Sequence, residues 1–121
     1  MSSYKELEIY QLAFDLAVKV HFASLKLPKY ELYEQGSQVR RSSKTIKDTI
    51  AEGYGRRKYK AEWIKFLTYA QSSCDETSSQ IEMIIITHPE ISDFKELHDE
   101  YLVLGKKINN FIKYVETSWK T

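Results

Sequence analysis

The chain has 121 residues, of which 42% are hydrophobic and 29% are charged, so it is long enough for one domain with a buried core. This composition excludes a disordered or fibrous protein, and no apolar run approaches the roughly 18 residues that a membrane-spanning helix needs. The sequence starts without the pattern of a signal peptide, and its single cysteine, Cys74, excludes an internal disulfide framework and fits a reducing compartment. We therefore expect one cytoplasmic domain over residues 1–121, with no membrane association.

The net charge is only +1, but the charges are unevenly distributed. From Gln38 to Lys65 there are nine Lys and Arg and three Asp and Glu, a local charge of +6 that leaves −5 for the other residues. This asymmetry indicates either an anionic partner or a complementary acidic surface on another subunit. Both interpretations remain open at this point.

Four helices are predicted, at about residues 5–27, 30–53, 59–87 and 93–118. Each has a stripe of mostly apolar residues at alternating spacings of four and three, which is the pattern of a packed helix bundle. With only four Gly and two Pro in the chain, the connections between these helices must be short. The predicted fold is an all-α, antiparallel up-down-up-down four-helix bundle.

The first predicted helix carries more apolar surface than one core needs. Its main apolar stripe consists of Ile9, Ala13, Leu16, Val20, Ala23 and Leu27. Pro28 is predicted to end the helix. A second apolar line runs beside the stripe and consists of Phe14, Val18 and Leu25. Because the two together form a wide apolar arc, we expect part of this helix to contact another subunit.

The second predicted helix is the most polar. Its stripe has three aliphatic residues, Val39, Ile46 and Ile50, accompanied by the hydroxyl side chains of Ser42, Ser43 and Thr45. We expect these hydroxyls to bond backbone carbonyls about one turn earlier, and tertiary or intersubunit packing to stabilise the helix. Gly53 and Gly55 are predicted to break the helix and to form a hinge that exposes the cations after it.

The third and fourth predicted helices have the most regular stripes. The third is the longest, and its stripe includes Trp63 and Cys74. Pro89 ends it, because the residue before a proline is pushed out of the helical conformation. Asp93, with Glu96 three residues later, resembles a capping box that opens the fourth helix.

The segment from Gln38 to Arg56 has the sequence QVRRSSKTIKDTIAEGYGR. It resembles the characteristic helix of the 23S rRNA intervening-sequence protein family, also called the four-helix-bundle protein family. The matching residues are Gln38, Arg40, Arg41, Ile46, Ile50, Ala51, Glu52, Gly53, Gly55 and Arg56. Parts of the first and third predicted helices match in order. The chain departs from the family at Thr49, where Asn is usual, and at Lys47, where Pro is common.

The resemblance implies a small, cytoplasmic bacterial four-helix bundle that forms a homo-oligomer, with a pentamer as the expected form. It implies no enzymatic activity and no cofactor. Family members resemble accessory proteins of diversity-generating retroelements, some are encoded inside insertions in 23S rRNA genes, and their biochemical role is essentially unassigned. The resemblance favours association with RNA or DNA.

The candidate nucleic-acid-binding residues are Arg56, Arg57, Lys58, Lys60, Lys44 and Lys47. Lys and Arg supply salt-dependent contacts to phosphates, and the aromatic residues Tyr54, Tyr59 and Trp63 are candidates for stacking on unpaired bases. The alternative is a protein-protein scaffold that binds no nucleic acid. In it, Arg40, Arg41 or Arg56 would pair with Glu52 or with neighbouring subunits, and Gln38, Gly53 and Gly55 would have structural roles.

No catalytic or metal-binding residues are expected. A di-iron bundle needs a Glu three residues before a His on two helices, and none of His21, His88 and His98 has one. We interpret His21 as a helix-surface or interface residue, His88 as a turn residue before proline, and His98 as a solvated residue. Cys74 lies on an apolar stripe, where a thiol behaves as a small hydrophobe. A small-molecule ligand would need an internal cavity that these well-filled stripes do not leave.

Overall fold

The structure is a computed structural model that describes residues 3–120, and it is helical throughout its regular elements. A 3-10 helix, Tyr4–Glu6, precedes α1, Glu8–Ser24, and a second 3-10 helix, Lys29–Glu31, precedes α2, Gln35–Gly55. The chain continues with α3, Lys60–Thr87, and α4, Asp93–Ser118. Each of α1 to α3 packs against the next helix, and α1 also packs against α4. With short turns between the helices, this arrangement confirms the predicted up-down-up-down four-helix bundle.

The core lies along the common axis of the four helices and consists of the predicted stripes. Its largest fully buried side chains are Trp63, Tyr101, Phe94, Leu16, Ile46, Ile50, Leu67, Ile81, Ile84, Leu104, Ile108 and Val20. Burying one large apolar side chain contributes about 1.5–3 kcal/mol to folding, so this core is the main stabilising element. Within residues 3–120, no helix is long and apolar enough to cross a membrane.

The first helix is shorter than predicted at both ends. Leu7 has an extended backbone and caps α1, and the helix ends at Ser24. The N–H groups of residues 25–27 then bond carbonyls only three residues earlier, which tightens the last turn. The reason is Pro28, which restricts the backbone before it and brings the chain out of the helix.

The start of the second helix and the predicted capping box are corrected by the structure. α2 begins at Gln35 rather than residue 30, because Lys29–Glu31 forms a separate 3-10 turn and Glu34 has a non-helical backbone. At the start of α4, the N-cap residue is Ser92, and its side chain makes no capping hydrogen bond. The carboxylate of Asp93 instead pairs with Lys26 at 2.9 Å and joins α4 to the end of α1. The predicted extents of the third and fourth helices are otherwise confirmed within one residue.

The prediction of a glycine hinge is wrong. Gly53 lies inside α2, Gly55 is its last residue, and neither has a positive φ. Gly53 is needed for packing: a Cβ at this position would lie 2.6 Å from Cβ of Phe66 and 2.9 Å from the ring of Trp63. Its small size therefore lets α2 approach α3 closely, and the direction change occurs in the turn at residues 56–59.

Candidate nucleic-acid interface

The three hydroxyl side chains of the α2 stripe are hydrogen-bonded, and two of them are buried. Ser43 donates to the carbonyl of Arg40 at 3.0 Å and Thr45 to the carbonyl of Arg41 at 2.9 Å, as expected for hydroxyls in a helix. The Ser42 hydroxyl donates to Gln80 on α3 at 2.6 Å and accepts from Thr77 at 2.9 Å. The predicted burial is confirmed for Ser42 and Ser43, whereas Thr45 is half-buried. At Ser42 the partners are side chains of α3 as well as the backbone.

Adjacent arginines on α2 have different roles. Arg40 is half-buried; Nη1 donates to the Ser24 hydroxyl at 2.9 Å and Nη2 to the Leu32 carbonyl at 2.7 Å. It thereby joins the end of α1, the following loop and α2. Arg41 is exposed and makes no ion pair with the residues that the structure describes. The predicted ion pair between Glu52 and Arg40 or Arg41 is not formed. Eleven or twelve positions of one helix separate these side chains, which corresponds to roughly 16–18 Å along its axis.

The remaining motif residues of α2 divide between core and surface. Ile46 and Ile50 are fully buried, whereas Gln38 and Glu52 are exposed. Glu52 pairs with Arg56 one turn later at 3.3 Å. Of the ion pairs predicted for Glu52, the one with Arg56 is therefore confirmed.

Arg56 forms ion pairs with two carboxylates. In addition to the pair with Glu52, its Nη1 lies 3.1 Å from Oε1 of Glu62 on α3, and the guanidinium lies 4.8 Å from the ring centroid of Phe66. The pKa of Glu62 is lowered from its ordinary value, chiefly by the hydrogen bond from Lys65 and also by Arg56. Arg56 therefore neutralises protein charge rather than standing free beyond a hinge.

The other three cations of this region have no carboxylate partner among residues 3–120. Arg57 lies with its guanidinium 3.9 Å from the ring centroid of Tyr54 and donates to the Tyr54 carbonyl at 2.9 Å. Lys58 is exposed near the Tyr59 ring, and Lys60 is half-buried at the first residue of α3. Among residues 3–120, no Asp or Glu forms an ion pair with these three, which we call the turn cations. The structure therefore places three positive charges that no described carboxylate pairs with at one end of the bundle.

Lys44 and Lys47 lie elsewhere. Lys47 lies nine positions before Arg56, which corresponds to roughly 13 Å along the helix axis. Both lysines border a groove of about 300 Å³, the α1–α2 groove, whose other lining residues are Phe14, Ala17, Val18, His21 and Phe22. Lys47 pairs with Asp48 at 2.7 Å, and this hydrogen bond is the main reason why its pKa is raised. The six candidate cations thus form two separate groups.

The exposed side of α1 is apolar, as the second apolar line predicts. Four large hydrophobic side chains remain exposed along it: Phe14, Val18, Phe22 and Leu25. Lys44 and Lys47 lie on the α2 side of this face. On the α4 side, Lys19 and Lys26 pair with Glu100 and Asp93, while Glu96 lines the neighbouring cleft without an ion pair to any described residue.

Two of the three candidate stacking residues are unavailable to bases. Trp63 and Tyr54 are buried and contact each other edge to face, with ring centroids 5.9 Å apart. Tyr59 is 63% exposed and is the one candidate of the three that offers its ring to solvent. The indole Nε1 of Trp63 has no hydrogen-bond partner among the described residues, which is consistent with a wholly apolar position.

A second aromatic residue at this end was not identified from the sequence. Trp119, just after α4, packs against Trp63 with ring centroids 5.9 Å apart. Together with Gly55, Arg57, Lys58 and Lys120 it lines an open cleft of about 310 Å³, which we call the turn cleft. The residues come from two segments more than sixty positions apart, and only the up-down topology brings them together. The density of aromatic residues in the last part of α4 is the one sequence signal that points to this end.

The histidines and the cysteine have structural environments. His88 is buried and bonded to Glu31 rather than being only a turn residue, and His98 is half-buried 3.1 Å from Glu82 rather than solvated. His21 is a half-buried surface residue of the α1–α2 groove. Burial raises the pKa of Cys74 to about 12, so its thiol is protonated at neutral pH. Over residues 3–120, no three His, Cys, Asp or Glu side chains are grouped as a metal site would require.

Comparison with known proteins gives two similarities. The family model described as 23S rRNA-intervening sequence protein matches residues 5–110. The fold is similar to the crystal structure, at 1.70 Å resolution, of a protein of unknown function from the S23 ribosomal protein family of Bacteroides thetaiotaomicron VPI-5482. That similarity has a TM-score of 0.73 at 20% identity and covers 87% of this chain and 98% of that chain, so it concerns the fold alone. Among curated proteins, none matches this chain.

Proposed function

Because the chain belongs to the 23S rRNA-intervening sequence protein family, we propose that it is a non-enzymatic module that forms a homo-oligomer and associates with RNA in the cytoplasm. The expected oligomer is a pentamer. The observation that supports RNA association is the group of turn cations, Arg57, Lys58 and Lys60, which no described carboxylate neutralises. Such a group suits a polyanion, because Lys and Arg bind phosphates through charge and through the release of counterions.

The exposed apolar face of α1 supports self-association. A line of four large hydrophobic side chains on one helix face is unfavourable in water, and burial against another copy would remove it. The turn cations lie at the end of the bundle and not on this face. Assembly through α1 would therefore bring several sets of turn cations together, which would strengthen binding to a long polyanion through multivalency.

A protein-protein scaffold without nucleic acid is the second candidate. Lys44 and Lys47 border the apolar face of α1 on one side, and the exposed carboxylate of Glu96 borders it on the other. These opposite charges would pair between neighbouring copies in a head-to-tail ring. In that case Lys44 and Lys47 belong to the subunit interface and not to an RNA site.

A gel-shift titration of single-stranded RNA against increasing salt tests the first proposal. The triple variant Arg57→Ala, Lys58→Ala, Lys60→Ala should bind more weakly, and its slope of log affinity against log salt should fall by up to about 2, at roughly 0.7 per lost phosphate contact. A matched variant removes three exposed lysines outside this turn, Lys29, Lys95 and Lys106, and should behave as the wild type. Absence of binding by the wild type at low salt would reject RNA association and favour the scaffold.

A further inference from the structure

We propose that the turn cleft is a binding site for one nucleotide of single-stranded RNA, with the phosphate held by Arg57, Lys58 and Lys120 and the base placed against Trp119. This inference rests on the proposed function, to which it adds a ligand and a location. Four observations support it: the charge of the lining, the fixed position of one arginine, a glycine that packing does not require and a supported indole ring.

The lining of the turn cleft is unusually cationic. Three of the five described residues that line it carry a positive side chain, and no described Asp or Glu contributes to it. Its volume of about 310 Å³ lies at the lower end of the range of small-ligand sites, roughly 300–1,000 Å³. The chemistry and the size together suit a small anion that carries a ring, which describes a nucleotide.

Arg57 is held in place before any ligand arrives. One of its N–H groups donates to the Tyr54 carbonyl at 2.9 Å, and its guanidinium lies 3.9 Å from the centroid of the buried Tyr54 ring. A guanidinium has five N–H donors in a planar fork, so most of them remain available to phosphate oxygens. The fixed position lowers the entropy that binding would otherwise cost.

Neither packing nor backbone conformation requires the glycine at position 55, the last residue of α2. Its φ is not positive, and a Cβ built on it would meet no atom within 4 Å apart from its chain neighbours and the backbone of its own helix. Gly53, two residues earlier, is by contrast required by its contact with α3. The absence of a side chain at Gly55 keeps the wall of the turn cleft open and lets a ligand approach the backbone.

Trp119 offers a supported aromatic surface. Its ring contacts those of Trp63, Phe111 and Tyr114 at centroid distances of 5.9, 6.4 and 6.2 Å, which fixes its orientation. It remains partly exposed and lines the turn cleft. Bases stack on such rings with little sequence preference, so the site would accept any base.

The other cationic places on the surface suit a nucleotide less well. Arg56 is already paired with Glu52 and Glu62. Lys44 and Lys47 border a groove whose remaining lining is dominated by apolar side chains of α1, and Lys47 is paired with Asp48. The turn cleft differs from both, because all of its cations lack an ion pair to a described carboxylate and its lining also includes an aromatic ring.

The test is an NMR titration of the full chain with adenosine 5′-monophosphate, followed at the indole N–H signals of the two tryptophans. We expect a saturable shift of the Trp119 signal and of the Arg57 signals at millimolar nucleotide, while the signal of the buried Trp63 moves less. Inorganic phosphate alone should move the Arg57 signals and leave Trp119 nearly unchanged. Equal effects of phosphate and nucleotide, without movement of Trp119, would overturn the proposal and leave only nonspecific anion binding.

Two variants test the location. Gly55→Leu should raise the dissociation constant for adenosine 5′-monophosphate at least tenfold, because the new side chain occupies the turn cleft without meeting a protein atom at its Cβ. Lys120→Glu, at an exposed position after α4, should weaken binding even if the first variant folds poorly. Lys95→Ala, an exposed lysine in the first turn of α4, is the matched control and should bind as the wild type.

The outcomes separate this inference from the proposed function. If the wild type binds RNA in a salt-dependent manner but shows no saturable shift with the mononucleotide, the nucleotide site is wrong and RNA association stands. If the mononucleotide binds in the turn cleft but RNA does not bind at low salt, the proposed function fails and the site stands. Unchanged nucleotide affinity in both variants would reject the turn cleft as the site.

Discussion

Nε2 of His88 lies 2.7 Å from Oε2 of Glu31, although 57 residues separate them in the chain. Both residues are buried, and Gln35 at the start of α2 donates a second hydrogen bond to the same carboxylate. The pair joins the 3-10 turn before α2 to the turn that follows α3. It explains why α2 starts late, because Glu31 is held by these partners outside the helix.

This pair predicts a specific response to acid. The pKa of Glu31 is lowered from 4.5, chiefly by the hydrogen bond from His88 and then by that from Gln35. A carboxyl group with a lower pKa in the folded chain stabilises the fold above its unfolded pKa, and this contribution is lost as the pH falls through the folded pKa. The free energy of unfolding, measured by urea denaturation between about pH 5 and pH 3, should therefore decrease less in Glu31→Gln than in the wild type.

Glu34→Gln is the control for the acid response, since Glu34 is exposed three residues further on. It should follow the wild-type dependence on pH. If Glu31→Gln and the wild type lost stability in parallel over this range, the buried pair would not be the source of the acid sensitivity.

The two glycines of α2 provide a matched pair of substitutions. Gly53→Ala should destabilise the protein by about 1–3 kcal/mol, because its Cβ would clash with Phe66 and Trp63 and overpack the contact of α2 with α3. Gly55→Ala meets no atom and should be neutral or stabilising by up to about 1 kcal/mol, since Ala favours the helix. Thermal or urea unfolding of both variants measures the difference. A hinge at these positions, by contrast, would make both substitutions harmful.

The sequence predicts which residues of a helix face the core, but it does not predict contacts that depend on how two helices cross. The alternating spacings of four and three residues place Trp63 and Cys74 in the core, because helical periodicity alone decides which residues share a face. The same periodicity cannot predict the role of Gly53. A glycine that breaks a helix and a glycine that admits a neighbouring helix look identical in one dimension, and only the crossing of α2 and α3 distinguishes them.

The contacts of the basic residues are even harder to predict from the sequence. Sequence identifies the local excess of cations, but Arg56 and Arg57 differ only by contacts with residues on other elements. Glu62 lies six positions after Arg56, a spacing that does not bring two side chains together on one helix. The turn between α2 and α3 brings them into contact. Trp119 and Lys120 could not be assigned to the turn cleft, because their position follows from the return of α4 to that end of the bundle.

Arg40 and Arg41 should differ sharply in their effect on stability. Arg40→Ala removes the donors to the Ser24 hydroxyl and the Leu32 carbonyl and should cost about 2–3 kcal/mol, in the range of hydrogen bonds to charged groups. Arg41→Ala changes an exposed residue without a described ion pair and should remain within about 0.5 kcal/mol of the wild type. Urea unfolding of both variants provides the comparison. Equal costs would show that Arg40 does not act through these two bonds.

Self-association through α1 is tested by a charged residue in the middle of its exposed face. Val18→Glu, at a position that is 44% exposed, should lower the sedimentation coefficient to that of a smaller species, because a carboxylate cannot be buried without a partner. Ile86→Glu, at a position on α3 that is 78% exposed, is the control and should leave the particle size unchanged. Both positions are largely outside the core, so neither variant should unfold. A wild type that sediments as a monomer, or a Val18→Glu variant of unchanged size, would contradict an interface on α1, and the exposed apolar face would then need a different partner.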